Sequence, residues 1–355
     1  MSLSARSGGC APADLQALGP AWERLLEGGR SPTLGHAWAR AWAEARGDEL
    51  RVRVLSVPGE GGPGALLALG EERSRPGVLA PLGGPSGYLT GVPAAGPQEL
   101  EALCRMLVRQ RAAIHFMRVQ ADDPLVAAVR RLRRRALVFC RPVSGMRYLE
   151  LDGDWSEPER HVRGRLAKNL RRSARLAAHL GEVSYQSLAP VPAELPPLLE
   201  EALRVEATGW KGRGRTALAH DPVLGEIFRR YLAAAAADGT LRMFFMRVDG
   251  RAVAMYLTVK AGRRLWGMKM GYDEAFAQCS PGGLMQLHTI RYAAQQGLES
   301  FELLGDEPWM AGWTDTVRPC VGLRVYPLPS AVGPLAADGG RALRRRMGGA
   351  SAAAP

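Results

Sequence analysis

The sequence predicts an α+β fold in two lobes, and three observations carry that reading. A chain of 355 residues with 46% hydrophobic content buries a large core and suits two domains better than one. Its first half alternates helical and strand periodicities, with paired helix-to-strand units. Its second half carries a three-strand antiparallel meander, Leu241–Val248, Arg251–Val259 and Arg263–Gly271.

In the first half, amphipathic helices are expected near Ala13–Leu26 and Leu34–Ala45, followed by strands at Arg51–Val57 and Ala65–Glu71. Helix Glu99–Gln110 leads into strand Ile114–Val119, and helix Pro124–Arg135 leads into strand Leu137–Cys140. The Gly- and Pro-rich stretches Gly59–Gly64 and Pro81–Gly96 read as loops. A charged helix from about Glu157 to Leu180 joins the halves: Val162, Leu166, Leu170, Ser173, Ala177 and Leu180 share one face, while Arg165, Lys168, Arg172 and Arg175 share another.

Strand Glu182–Leu188 and helices near Leu195–Thr208 and Pro222–Ala236 lead to the meander. Its first turn is Asp249-Gly250, a two-residue hairpin signal because a type I′ turn needs positive φ at both positions; Ala261-Gly262 is the weaker second turn. Loop Ala275–Pro281, helix Gly282–Gln296 and strand Ser300–Leu304 follow, then a strand near Leu323–Tyr326. The expected domains are 1–155 and 156–330, with a basic helix at Arg341–Arg346 and a Gly/Ala tail expected to be disordered over 331–355.

Composition excludes several classes. No apolar stretch follows Arg6 to make an export signal, and no run is long enough to span a bilayer, so a cytoplasmic protein is expected. The five cysteines lie far apart with no CxxC, which suggests neither a zinc site nor a disulfide framework; no metal is expected. The net charge of +12 invites a polyanion, but only four of the 47 Lys and Arg residues are lysine, and Gly and Ala are abundant. That is the signature of GC-rich coding, and nucleic acid is not an expected partner.

Chemistry concentrates where the meander meets the following helix. Ser280-Pro281-Gly282-Gly283 opens a helix with two glycines and a proline, so free backbone amides and the helix dipole there suit a diphosphate, or the turn is a plain helix cap.

Several stretches together resemble the CelD/BcsL-type acetyltransferase-like family of the GNAT superfamily, related to the Fem-type transferases. They are Arg165-Leu166-Ala167-Lys168-Asn169-Leu170-Arg171-Arg172, Glu206-Ala207-Thr208-Gly209-Trp210-Lys211-Gly212, Val248-Asp249-Gly250-Arg251, and Gly271-Tyr272-Asp273 followed by Ser280-Pro281-Gly282-Gly283. The first half matches more loosely, through Pro32-Thr33-Leu34, Trp38 and Trp42.

The resemblance implies two tandem GNAT-like domains, the first degenerate, each a mixed, mostly antiparallel sheet flanked by helices. It implies an acetyl-CoA or other acyl-CoA donor held by Ser280, Pro281, Gly282 and Gly283. Transfer is direct, to an amine or hydroxyl of a sugar, peptide or polysaccharide precursor, with a backbone amide near Met268–Gly271, from Met270 and Gly271 among them, offered to the oxyanion.

The candidate proton acceptors are Asp273, which otherwise caps a turn, then Glu206, which otherwise sits in a salt bridge, and Asp306, otherwise a loop residue. Tyr272 is the candidate acid for the departing thiolate, or a packed tyrosine. Trp210, Lys211 and Trp313 are candidates for the acceptor site. Arg165, Lys168 and Arg172 either contact phosphates or form a solvated face. His288 reads as packed rather than catalytic. The family's tyrosine-lysine pair is missing: Met310 stands at the lysine position, while Trp313 keeps the aromatic. Two other readings stand beside the first, a Fem-like aminoacyl-tRNA-dependent transferase and a non-catalytic arginine-rich binding module on the same scaffold.

Overall fold

The computed structural model describes residues 7–9, 12–26, 30–162, 164–209, 218–303, 305–328 and 333. Trp210, Lys211, Leu304, Arg341–Arg346 and the C-terminal tail therefore lie outside the described residues. The chain forms two compact units that are not contiguous stretches. The first draws on residues before 27, on 46–143 and on those from 319 onward; the second draws on 27–45 and 144–318.

In the first unit β1 (Ser7–Gly9), α1 (Pro12–Ala17) and α2 (Gly19–Arg24) precede α3 (His36–Arg46), most of which belongs to the second unit. Then come β2 (Leu50–Gly59), β3 (Gly62–Glu72), β4 (Val78–Pro81), α4 (Pro97–Leu107), β5 (Ala113–Gln120), α5 (Pro124–Arg130) and β6 (Ala136–Glu150), which runs on into the second unit. The sheet order is β1-β2-β3-β4-β5, continued by the strand Val317–Pro327, and of these pairings only β4 with β5 is parallel. Leu100, Leu103 and Leu107 of α4 and Leu125 and Val129 of α5 bury their apolar faces against Leu67, Leu69, Ile114 and Phe116 of the sheet.

The second unit contains α6 (Gly164–Leu180), β7 (Val183–Leu188), α7 (Leu195–Ala207), α8 (Pro222–Ala237), β8 (Leu241–Val248), β9 (Arg251–Ala261), β10 (Arg264–Tyr272), α9 (Pro281–Gln295) and β11 (Ser300–Glu302). Its strand order is β6-β11-β10-β9-β8-β7, and of these pairings only β10 with β11 is parallel. Trp38 of α3 is fully buried edge-on to Phe228 and Tyr231 of α8, at centroid distances of 5.8 and 4.9 Å, which ties α3 to this unit.

The architecture matches the expected α+β class, a mixed, mostly antiparallel sheet flanked by helices. Several boundaries differ, each for a local reason. Gly59–Gly64 is not an open loop. The strands continue to Gly59 and from Gly62, because Gly59 and Gly64 lie so close that a Cβ on Gly59 would sit 2.5 Å from the Gly64 Cα. Strand β6 is far longer than Leu137–Cys140, since Pro142 and Gly145 broke the pattern without ending the strand. Helix α6 starts at Gly164, not near Glu157: short 3₁₀ turns cover Gly153–Ser156 and Pro158–Arg160, and Gly164 turns the chain with φ +59°.

The turn Asp249-Gly250 has positive φ at both positions, 47° and 76°, as a type I′ turn requires. The second turn is Gly262-Arg263, one residue later than expected. Ala261 pairs with Arg264, and Gly262, with φ +56°, supplies the positive angle at the first turn position. The expected loop Ala275–Pro281 holds a 3₁₀ turn over Glu274–Cys279. The last strand begins at Val317, not near Leu323.

One irregularity sets the geometry of the second unit. Along β10, Gly267 pairs with Thr258 and Lys269 with Leu257, so Met268 is a bulge. Strand side chains alternate between faces, and an extra residue reverses the alternation beyond it. Before the bulge, Leu265 faces the cluster that includes Leu284 and Ile290 of α9; after it, Met270 and Tyr272 do, while Lys269 and Gly271 turn to α7.

Candidate functional site

Strands β10 and β11 run parallel, and among the described residues they pair over Arg264↔Ser300, Leu265↔Phe301 and Trp266↔Glu302. Beyond that point the chain after β11 stays with β6: the Leu303 amide donates to the Arg147 carbonyl at 2.9 Å and the Arg147 amide to the Gly305 carbonyl at 2.7 Å. Past the Met268 bulge, Lys269–Tyr272 continues its ladder to β9.

Helix α9 starts just past the end of β10. Its N-cap Ser280 sits in the left-handed region, φ 44° and ψ 57°, and makes no side-chain cap hydrogen bond. The first turn is closed by backbone instead: Pro281 has no N–H, and the Gly283 and Leu284 amides donate to the Ser280 carbonyl at 3.0 and 3.3 Å. The two glycines serve packing in the directions their Cβ atoms would take: at Gly282 a Cβ would lie 3.4 Å from the Tyr272 ring and 3.7 Å from the Met270 methyl, and at Gly283 3.3 Å from Leu170 of α6. Pro281 and Gly282 are buried, Ser280 is exposed, and Gly283 is half-buried.

Glu206, near the C-terminal end of α7, lies on the opposite face of β10 with a fully buried side chain. Its Oε1 is 2.9 Å from Lys269 Nζ, and its Oε2 accepts the Leu218 amide at 3.0 Å. Two glycines permit this approach. A Cβ on Gly271 would meet the Glu206 Cα at 3.0 Å, and one on Gly209 would overlap the Tyr272 carbonyl oxygen at 2.7 Å. A buried carboxylate needs a paired charge, and the bulge provides it by swinging Lys269 onto the α7 face.

Asp273 is also buried, and like Glu206 it has both oxygens engaged: Oδ1 caps the 3₁₀ turn through the Ala275 amide at 3.1 Å, and Oδ2 pairs with Arg251. Asp306 is held by the Arg147 guanidinium at 2.6 Å, and Arg147 also donates to the Thr314 carbonyl at 2.7 Å. Of the three carboxylates, Glu206 packs on β10 with a lysine as its ionic partner, whereas the other two pair with arginines.

Met310 and Trp313 are both buried in the apolar cluster around α9, which explains a methionine there: a lysine would carry its charge into packed hydrocarbon. Trp313 is accordingly a core residue in this structure. Arg165, Lys168 and Arg172 lie elsewhere. Leu170, Ser173 and Ala177 form the buried face of α6, and the basic stripe lies about 140° around the helix from it and is exposed. These three side chains do not line the corner between α6 and α9.

His288 is packed, as its place on α9 suggested. Its ring stacks on Tyr185 at 4.9 Å, and Nε2 meets Ser187 Oγ at 2.9 Å. Burial, helped by nearby Arg291, pushes its pKa down to about 4, and burial pushes the Tyr185 hydroxyl up to about 12. The folded state then holds fewer protons than the unfolded one between the ordinary histidine pKa and about 4. This contribution to stability is complete above that ordinary value and is lost as pH falls through the window, by less than the roughly 1.4 kcal/mol per pH unit that a single proton allows. Urea titrations from pH 7 to 4 should show a shallower decline for His288→Gln than for the parent; parallel curves would exclude His288 as a cause.

Sequence reasoning missed Lys269 and Gln286. The signal for Lys269 was a lone charge within Leu265-Trp266-Gly267-Met268-Lys269-Met270, where an apolar strand implies a buried partner. The signal for Gln286 was an amide within Leu284-Met285-Gln286-Leu287. It is fully buried on α9, and neither its carboxamide oxygen nor its nitrogen has a hydrogen-bond partner. Among the described residues, no cluster of His, Cys, Asp or Glu could hold a metal ion, and no helix is long and apolar enough to cross a membrane.

Comparison with known proteins places this architecture. Residues 164–310 match the sequence model of the acetyltransferase (GNAT) domain family. The C-terminal domain of a putative lysylphosphatidylglycerol synthetase from Agrobacterium fabrum superposes with a TM-score of 0.60 at 14% identity, covering 95% of this chain and 96% of that one. FemX superposes at 0.54 with 13% identity, covering 93% and 99%. A tandem GNAT protein from the clavulanic acid biosynthesis pathway superposes at 0.50 with 10% identity, covering 91% and 98%. No curated protein matches the chain in sequence. The fold is GNAT-like, with a tandem GNAT structure among its neighbours.

Proposed function

We propose that the chain is a CelD/BcsL-type acyltransferase that moves an acetyl or longer acyl group from acyl-CoA directly onto an amine or hydroxyl of a sugar, peptide or polysaccharide precursor. The observation that carries this reading is the start of α9 just past the bulged strand β10, where Ser280 stands in the left-handed region and makes no side-chain cap. A diphosphate suits such a helix start, where the positive end of the helix dipole favours an anion.

In this reading the start of α9, with its dipole, takes the diphosphate, and the thioester arm extends from it over β10. Tyr272, in contact with Gly282, then stands at the diphosphate end and frames the mouth instead of protonating the thiolate. Glu206 accepts the acceptor's proton, and Lys269 keeps that carboxylate oriented. The acceptor's nitrogen or oxygen bonds to the carbonyl carbon, the C–S bond breaks, the thiolate takes a proton from solvent, and Glu206 returns its own to solvent.

Isothermal titration with acetyl-CoA tests the donor: saturable binding is expected, together with a rise in Tm that grows with ligand concentration. Absence of both would remove the reading. A second reading, transfer from aminoacyl-tRNA, is favoured by the solvent-facing stripe of Arg165, Lys168 and Arg172 and by the likeness to FemX. Reversing these three charges should leave the Kd for acetyl-CoA unchanged. A steep loss of salt-dependent RNA binding in the same variant, with no acetyl-CoA binding by the parent, would favour the tRNA donor instead.

A further inference from the structure

We infer that the outer face of three neighbouring strands of the first unit, β5, Val317–Pro327 and the first half of β6, is a docking surface for an anionic lipid bilayer. Strand side chains alternate between faces. Phe116, Leu323 and Ala136 point into the cluster under α4 and α5. That leaves Met117, Arg324, Leu137, Phe139, Arg141 and Val143 on the other side. Contacts across the strands join them into one surface: the Phe139 ring lies edge-on to Tyr326 at 5.7 Å, and a Cβ on Gly322 would meet the Val143 methyl at 3.3 Å and the Met117 carbonyl at 3.4 Å.

Nine large apolar side chains are exposed among the described residues, and five of them gather here. Met117, Leu137, Phe139 and Val143 lie on the face, and Leu328 stands at its end, where its amide donates to the Arg135 carbonyl at 2.9 Å. Such a concentration marks a binding surface. Charge selects the partner. Ala113–Gln120, Ala136–Val143 and Val317–Pro327 contain no acidic residue. Arg141 and Arg324 are exposed on the face, Arg133, Arg134 and Arg135 are exposed at the entry to β6, and among the described residues none of the five is paired with a carboxylate. A second copy would bring two cationic faces together, which like charges oppose. Four of the five apolar side chains are aliphatic, so they offer nucleic acid no ring to stack on. An anionic bilayer suits both features, its acyl chains taking the apolar side chains and its phosphates the arginines. The surface is independent of the donor reading.

The test is co-sedimentation of the full chain with vesicles of phosphatidylcholine alone and of equal parts phosphatidylcholine and phosphatidylglycerol. The parent should bind the mixed vesicles and not the neutral ones. Arg141→Glu with Arg324→Glu should weaken that binding by about 25-fold, roughly fivefold per arginine. Met117→Ser with Leu137→Ser should weaken it by about tenfold with every charge kept. Reversing Arg165, Lys168 and Arg172 of α6 should leave it near the parent value. If the serine variant loses Tm, the charge reversal at two exposed positions still decides. No vesicle binding by the parent would overturn the assignment, as would binding that survives both variants on the face. Equal loss on reversing the α6 stripe would overturn it by showing attraction to net charge alone. Binding to polyuridine in place of vesicles, lost in the arginine variant, would make the face a nucleic-acid surface instead, and a parent dimer split by the serine variant, without vesicle binding, would assign it to a second copy.

Discussion

Glu206→Ala should lower the unfolding free energy by about 3–5 kcal/mol, the typical loss when one member of a buried ion pair is deleted. Lys269 Nζ lies 2.9 Å from Glu206 Oε1 with a side chain only 14% exposed, so deletion leaves an ammonium in a poorly hydrated site. The Leu218 amide, bonded to Oε2 at 3.0 Å, loses its acceptor as well. Because the penalty comes from the orphaned charge, the double variant Glu206→Met with Lys269→Met should recover most of it. Urea denaturation of the three proteins decides the matter. A single-variant loss below about 1 kcal/mol, the scale of an exposed pair, would mean that water reaches the site.

That pair also marks the limit of what the sequence revealed. The meander was legible because Leu241–Val248 and Arg251–Ala261 flank Asp249-Gly250, a turn whose geometry follows from two residue types. Glu206 was visible as a candidate, with a salt bridge as its stated alternative. Its partner was not visible, because a strict two-residue alternation puts Lys269 on the same face as Leu265. Only the extra residue at Met268 moves it to α7, and a bulge leaves no reliable trace in a single sequence.

The segment exchange was hidden for a related reason. Nothing local to Trp38 tells that its indole packs on Phe228 and Tyr231, almost two hundred residues away in sequence. Likewise the pairing of Leu323 with Phe116 is set by long-range strand order and not by neighbouring residues. The helix-start glycines illustrate the reverse case. Ser280–Gly283 was legible as a motif, yet only the structure shows that the Cβ directions of Gly282 and Gly283 are taken by Tyr272, Met270 and Leu170.

Glu206→Gln and Asp273→Asn should separate catalysis from scaffolding. Glutamine keeps an oxygen for the Leu218 amide but cannot accept the acceptor's proton, so turnover should fall by about 10²–10⁴-fold, the usual span of a general base, while the Kd for acetyl-CoA holds. Asp273 has its oxygens spent on the Ala275 amide and on Arg251, and the turn it caps leads directly to Ser280. Asparagine can still cap the turn but gives up the charge, so Asp273→Asn should lower Tm and weaken acetyl-CoA through a looser loop, with kcat nearly unchanged. Single-turnover rates at saturating acetyl-CoA, measured beside the binding constants, distinguish the two. If Asp273→Asn abolishes the chemical step and Glu206→Gln spares it, the base is the capping aspartate, and the Glu206–Lys269 pair is a clamp holding α7 against β10.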